Sequence, residues 1–164
     1  MKKLFLPIVL LPASLALMTA CSRTSVSNDS KAPGADFEEA SAALHEALRT
    51  NDTDALFTHI ADDVVILPPG EPPVRGKAAM RDWYAGFLSE FRTTSLTLLD
   101  REAVAAHGWV YQMGQFEWVF EPVAGGAPLT DYGSYLQVWK LQPDGRWLLT
   151  REIWNSSPPP FEEP

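Results

Sequence analysis

The sequence predicts an α+β domain in which about three helices pack on the concave face of a curved, mostly antiparallel β-sheet. Three observations carry that prediction. Apolar residues recur at helical spacing in the stretches that begin at Asp36, Asp54 and Lys77. From Ser95 onward the chain turns to aromatic and β-branched residues alternating with polar ones, and these later segments are joined by the turns "AHG", "PVAGGAP" and "QPDG". Helices and one early strand followed by a run of hairpin-linked strands is the order of a layered α+β fold, not of alternating parallel units.

The first helix is expected in "DFEEASAALHEALRTND", where Phe37, Ala40, Leu44, Ala47 and Leu48 form one stripe and Asp36 is a candidate cap with Glu39 three residues on. A short second helix from Asp54 carries Leu56, Phe57 and Ile60. "VVIL", Val64 to Leu67, reads as an edge strand stopped by Pro68 and Pro69, and Asp62 and Asp63 read as the turn that starts it. In the third helix, "KAAMRDWYAGFLSEF", Met80, Trp83, Phe87, Leu88 and Phe91 share a side. The remaining strands are expected over about 95–103, 109–121, 130–141 and 146–156.

The last hairpin can be registered from its turn. "PDG" suits a three-residue loop with Gly145 left-handed, which pairs Gln142 with Arg146. Counting outward pairs Trp139 with Leu149, Gln137 with Arg151 and Tyr135 with Ile153, so the concave face collects Tyr135, Gln137, Trp139, Arg151 and Asn155. Glu152 and Trp154 fall on the outer face, together with Leu136 and Val138. In the preceding strand Phe116, Trp118 and Phe120 join the concave side. A one-residue slip would exchange the faces.

The chain ends are of different character. Lys2 and Lys3 precede "LFLPIVLLPASLALM", an apolar run interrupted by Pro7 and Pro12 and closed by "TAC", which reads as a secretory signal over residues 1–20. Residues 21–35, small and polar, read as a flexible tether to a domain over 36–156, and "PPPFEEP" falls in a disordered tail over 157–164. No later segment approaches the roughly 18 apolar residues of a spanning helix. The net charge of -8 becomes more negative without the two leader lysines, and argues against nucleic acid as a partner. Cys21 is the sole cysteine, which excludes an internal disulfide, a thiolate metal cluster and a cysteine redox pair.

"TAC" resembles the bacterial lipobox, with Met18 where leucine is usual. The resemblance implies diacylation of Cys21, attachment to a membrane through lipid only and, with Ser22 next, the outer membrane facing the periplasm. "ADDVVILPPGEPPVRGKAAMRDWYAGFL" and "DYGSYLQVWKLQPDGRWLLTREIWNS" together resemble the nuclear transport factor 2-like superfamily, and within it the SnoaL-like and ketosteroid-isomerase-like bacterial domains. The similarity runs from about Phe37 to Ser156. It implies a conical domain with a pocket at its open end, and dimerisation through the outer sheet face, hence a homodimer.

Ketosteroid isomerases carry a carboxylate base just before a proline of that loop and a tyrosine in the first helix. Here Leu67 precedes Pro68 and the first helix has no tyrosine, so isomerisation by that route is not expected. SnoaL-type enzymes use Asp or His in the pocket, often on the final strand, where this reading places Arg151, Ile153 and Asn155. Arginine is a poor base because it stays protonated. His59, after the second helix, is the weak catalytic candidate; His45 is expected solvated beside Glu46, and His107 in a turn. The three share no metal-ligand spacing, and no cofactor motif appears.

The expectation is thus a lipid-anchored domain binding a small, partly apolar ligand. Its pocket, of roughly a few hundred Å³, would be lined by Trp83, Phe116, Trp118, Tyr135, Gln137, Trp139, Arg151 and Asn155, with Arg151 as polar anchor. Arg151 satisfied wholly by protein, a lyase or isomerase with an unrecognised base, and an envelope interaction module using Leu136, Val138 and Trp154 are the alternatives.

Overall fold

The computed structural model describes residues 31–157. The signal segment, Cys21, most of the tether and nearly all of the tail lie outside the described residues. In chain order the elements are α1 (Ala35–Thr50), α2 (Thr53–Thr58), β1 (Ile60–Leu67), β2 (Val74–Arg75), α3 (Lys77–Glu90), β3 (Phe91–Ala106), β4 (Trp109–Pro122), β5 (Leu129–Leu141) and β6 (Trp147–Ser157). The strands form one sheet in the order β2-β1-β6-β5-β4-β3, antiparallel except for the parallel β1–β6 pair. This is the α+β arrangement the sequence predicts.

The first helix buries Phe37, Ser41, Leu44 and Ala47 against the sheet. Phe37 meets Trp139 and Trp147 edge-on, with ring centroids 5.6 and 5.7 Å away, and these rings anchor one end of the core. Asp36 does not cap the helix. Gly34 is the N-cap, and Oδ2 of Asp36 accepts instead from the Trp147 indole N–H at 3.0 Å. The second helix is capped by Asp52, whose Oδ1 accepts from the Ala55 N–H at 3.0 Å, so it begins slightly earlier than expected. At the other end of the core, Phe87 of α3 packs among Phe91, Trp118 and Phe120.

Two strand expectations are corrected. Val64–Leu67 belongs to a longer strand that is not an edge, because the chain folds back after the proline loop and Val74 and Arg75 pair with Ile66 and Val65. Asp62 and Asp63 lie inside that strand, exposed, where its pairing with β6 shifts between Ile60 and Val65.

The larger correction concerns the last hairpin. Its turn forms as expected: the Gln142 N–H donates to the Arg146 carbonyl at 2.8 Å, Gly145 has φ 87°, and Trp139 pairs with Leu149. The next pair is Val138 with Arg151, so Thr150 is an extra residue. Its buried side chain fixes this bulge, the hydroxyl donating to the Val138 carbonyl at 2.8 Å. Beyond the bulge the faces exchange. Glu152 and Trp154 turn inward, while Arg151, Ile153 and Asn155 are exposed on the outer face.

Candidate functional site

A cavity of about 80 Å³ lies between α1, α3 and the concave face of the sheet. This is smaller than the few hundred Å³ expected, with room for about five to eight waters or a compact ring-sized molecule. Helix α1 contributes His45 and Leu48, and α3 contributes Met80, Trp83 and Tyr84. The sheet contributes Leu96 and Leu98 from β3, Phe116 and Trp118 from β4, Tyr135 and Gln137 from β5, and Glu152 and Trp154 from β6.

Of the residues singled out in the sequence, Trp83, Phe116, Trp118, Tyr135 and Gln137 are therefore brought together. Trp139 lies fully buried in the core, not on the lining, and its indole N–H donates to Oε1 of Gln137 at 3.2 Å. Arg151 and Asn155 are placed outside by the bulge. The Arg151 guanidinium donates to the carbonyls of Asp63 at 3.0 Å and Thr150 at 2.6 Å, and its side chain is 49% exposed beside the Asp63 carboxylate. It anchors nothing in the cavity. His59 is the C-cap of α2 and is not part of the lining.

Sequence reasoning missed Glu152, His45, Tyr84 and Trp154. Trp154 meets Trp83 edge-on at 5.9 Å, and the Trp83 indole N–H is held by Glu71 of the proline loop at 2.9 Å. His45, expected in solvent, faces Tyr135 with ring centroids 6.4 Å apart. A signal for it existed: Ser41, Leu44, His45 and Leu48 fall on one helical stripe. Nothing in the alternation pattern marked Glu152, because the bulge that turns it inward leaves no trace in a count of twos.

The lining is apolar apart from a few polar groups, and desolvation shifts the titratable ones toward their neutral forms. Burial pushes the Glu152 carboxyl above its ordinary range, opposed by the hydrogen bond that Nε2 of Gln137 donates to Oε1 at 2.7 Å. Desolvation also lowers His45 to about 4, and raises Tyr84 to about 12. Tyr135 is raised too, with burial the largest cause. The Tyr84 hydroxyl is buried with no hydrogen-bond partner among the described residues, a cost of about 1–3 kcal/mol that a ligand oxygen would offset. Among the described residues no group of three or more His, Cys, Asp or Glu is placed to hold a metal ion.

The family model of the SnoaL-like domain matches residues 41–149, which span α1 to β6 and so include most of this cavity. The chain belongs to the SnoaL-like family. A search of curated proteins finds no match. Among solved structures, this SnoaL-like chain is similar to a ketosteroid isomerase-like protein from Erwinia carotovora atroseptica, at 21% identity and TM-score 0.69, over 76% of this chain and 96% of that one. It is also similar to a proposed dehydratase of the NTF2-like family from Streptomyces avermitilis, at 17% identity and TM-score 0.63, over 74% and 94% of the two chains. A proposed scytalone dehydratase from Novosphingobium aromaticivorans aligns at 15% identity and TM-score 0.67, over 75% and 83%. At these identities the likeness establishes the NTF2-like fold.

Proposed function

We propose that this SnoaL-like domain binds a small, largely apolar molecule between α1, α3 and the sheet, with Glu152 as the polar anchor. The observation that supports this reading is a carboxyl group set in an otherwise aromatic and aliphatic cavity, one of its oxygens held by Gln137, with the unpartnered Tyr84 hydroxyl on the same lining. Native mass spectrometry of the purified protein tests it. A retained small-molecule mass is expected in the wild type and in Arg151→Ala, and is expected to be lost in Glu152→Ala. Loss in Arg151→Ala alone would return the anchor to Arg151.

A second reading, a lyase or isomerase, is favoured by the upward push on Glu152 on a lining that also carries His45, two groups of the kind that transfer protons. Glu152 then takes the part first given to His59. Deuterium uptake at the carbon next to the carbonyl of cyclohexanone is the readout: uptake above buffer, abolished in Glu152→Gln, is expected, and a rate equal to buffer rejects the reading.

The sequence of residues 1–22 supports display from a membrane by lipid on Cys21, on the periplasmic side of the cell envelope. Among the described residues no helix is long and apolar enough to cross a membrane. The exposed outer sheet face supports pairing with a second copy.

A further inference from the structure

A chain of hydrogen bonds runs beneath the cavity from the surface to Glu152. At its outer end Arg101 pairs with Glu38 at 2.6 Å, and its Nε donates to Oε1 of Gln112 at 2.9 Å. Nε2 of Gln112 donates to Oε1 of Gln137 at 3.1 Å, and Nε2 of Gln137 donates to Oε1 of Glu152 at 2.7 Å. Both glutamines are buried, at 0% and 2% exposure.

An amide can be turned end for end without changing shape, so two linked glutamines could point either way. Here two groups that can only donate remove the choice. The Arg101 guanidinium commits Oε1 of Gln112, and the Trp139 indole N–H, at 3.2 Å, commits Oε1 of Gln137. Ser41 and Tyr135 also touch Gln112, at 3.0 and 3.4 Å, but a hydroxyl can donate or accept and imposes no direction. Both amide nitrogens must therefore point toward Glu152, whose Oε1 can only accept. Any proton on Glu152 sits on Oε2, the oxygen for which no hydrogen bond to the described residues is seen.

We propose that Arg101 and Trp139, neither of which lines the cavity, act as positioning residues that fix its hydrogen-bond polarity, so that Glu152 offers Oε2 to an uncharged ligand bearing a carbonyl or hydroxyl oxygen. The inference rests on the reading of the cavity as a ligand site. Among the described residues no lysine or arginine lines it to meet an anion, and Tyr84 sets a second hydroxyl on the same lining. The titratable groups that share the cavity with Glu152 are His45 from α1, Tyr84 from α3 and Tyr135 from β5, each held toward its neutral form by desolvation.

The two locks are redundant, which gives the test its form. In protein labelled with ¹³C-glutamate, the Glu152 carboxyl is titrated by NMR in the wild type, Arg101→Met, Trp139→Phe, the double variant and Gln137→Leu. Binding of cyclohexanone, cyclohexylamine and cyclohexanecarboxylate is read from the pocket resonances. The single variants are expected to titrate like the wild type. In the double variant Gln137 is free to turn its oxygen toward Glu152, which only a protonated carboxyl can meet, so the midpoint rises by about one pH unit, toward that of Gln137→Leu. Cyclohexanone binding weakens about fivefold or more. If the double variant fails to fold, benzothienylalanine at position 139, which keeps the indole outline without the N–H, replaces phenylalanine. An unmoved midpoint overturns the polarity chain whatever binds. A moved midpoint with no probe bound supports the chain and overturns the ligand-site reading. Tighter binding of the amine or the carboxylate overturns the ligand class and leaves the site standing.

Discussion

Gln137 and Glu152 are cross-strand partners whose side chains meet on the concave face, Nε2 to Oε1 at 2.7 Å. They share that face only because the bulge at Thr150 advances β6 by one residue against β5. The pair has opposing effects on Glu152: the cavity disfavours its charge, and the amide partly restores it.

Glu152→Gln is therefore expected to stabilise the protein at neutral and alkaline pH and to have little effect near pH 4. The folded carboxyl has its pKa raised above the ordinary value of 4.5. Below that value both states are protonated; above it the unfolded chain ionises while the folded one resists, so wild-type stability falls as pH rises through the folded pKa. Urea unfolding of both proteins between pH 4 and 8 measures the difference. A variant less stable than wild type at pH 8 would contradict the inward placement of Glu152.

His45 has the opposite sign. Its folded pKa of about 4 lies below the ordinary 6.5, so the unfolded chain takes up a proton first as pH falls. Stability is lost progressively between about pH 6.5 and 4, and His45→Leu is expected to remove that slope. Unfolding free energies at pH 7, 5.5 and 4.5 decide it; equal acid sensitivity in both proteins would place His45 in solvent.

The helices, the strand segments and the turn of the last hairpin were legible because each is written in local pattern: a stripe at Phe37, Leu44 and Ala47, alternation at Phe116 and Trp118, glycine at 145. The site was legible only where the pattern stayed regular. Thr150 looks like any strand threonine, and its bulge depends on a hydrogen bond to Val138 and on packing that involves several strands. One unregistered residue therefore moved Arg151 out and brought Glu152 and Trp154 in. The short strand at Val74 and Arg75 was missed for a related reason, since its pairing with β1 is set by where the proline loop lands.

Gly133 separates close packing from backbone freedom. A Cβ there would lie 1.9 Å from the Asn155 carbonyl oxygen and 2.6 Å from Cζ of Phe116, so Gly133→Ala forces strand and ring apart and is expected to cost roughly 3 kcal/mol. At Gly86, exposed inside α3, an added Cβ would meet nothing among the described residues within 4 Å beyond its own helix turn, and Gly86→Ala should stabilise by roughly 0.5–1 kcal/mol through helix propensity. Thermal melts of the two variants should move in opposite directions.

Cys21→Ser tests the proposed anchor. Wild-type protein expressed in bacteria is expected in the membrane fraction and to incorporate labelled palmitate, and the variant to lose both. Equal fractionation of the two would leave the leader as an ordinary secretory signal.

On the outer face Leu67, Ile153, Leu136 and Met113 are successive cross-strand partners over β1, β6, β5 and β4, and they are 37%, 45%, 39% and 53% exposed. Trp154, first assigned to this face, is in the cavity instead, so the proposed homodimer must rest on this aliphatic row. In a two-fold interface the row meets its own copy, and Leu136 lies near its middle, so Leu136→Lys would set two ammonium groups against each other. The wild type is expected to sediment as a dimer and Leu136→Lys as a monomer; a monomeric wild type at about 100 µM rejects the interface. Because Ile153 and Glu152 point to opposite faces, the variant should leave the Glu152 titration where it is. A shifted titration would mean that dimerisation shapes the cavity, linking the two faces of the sheet.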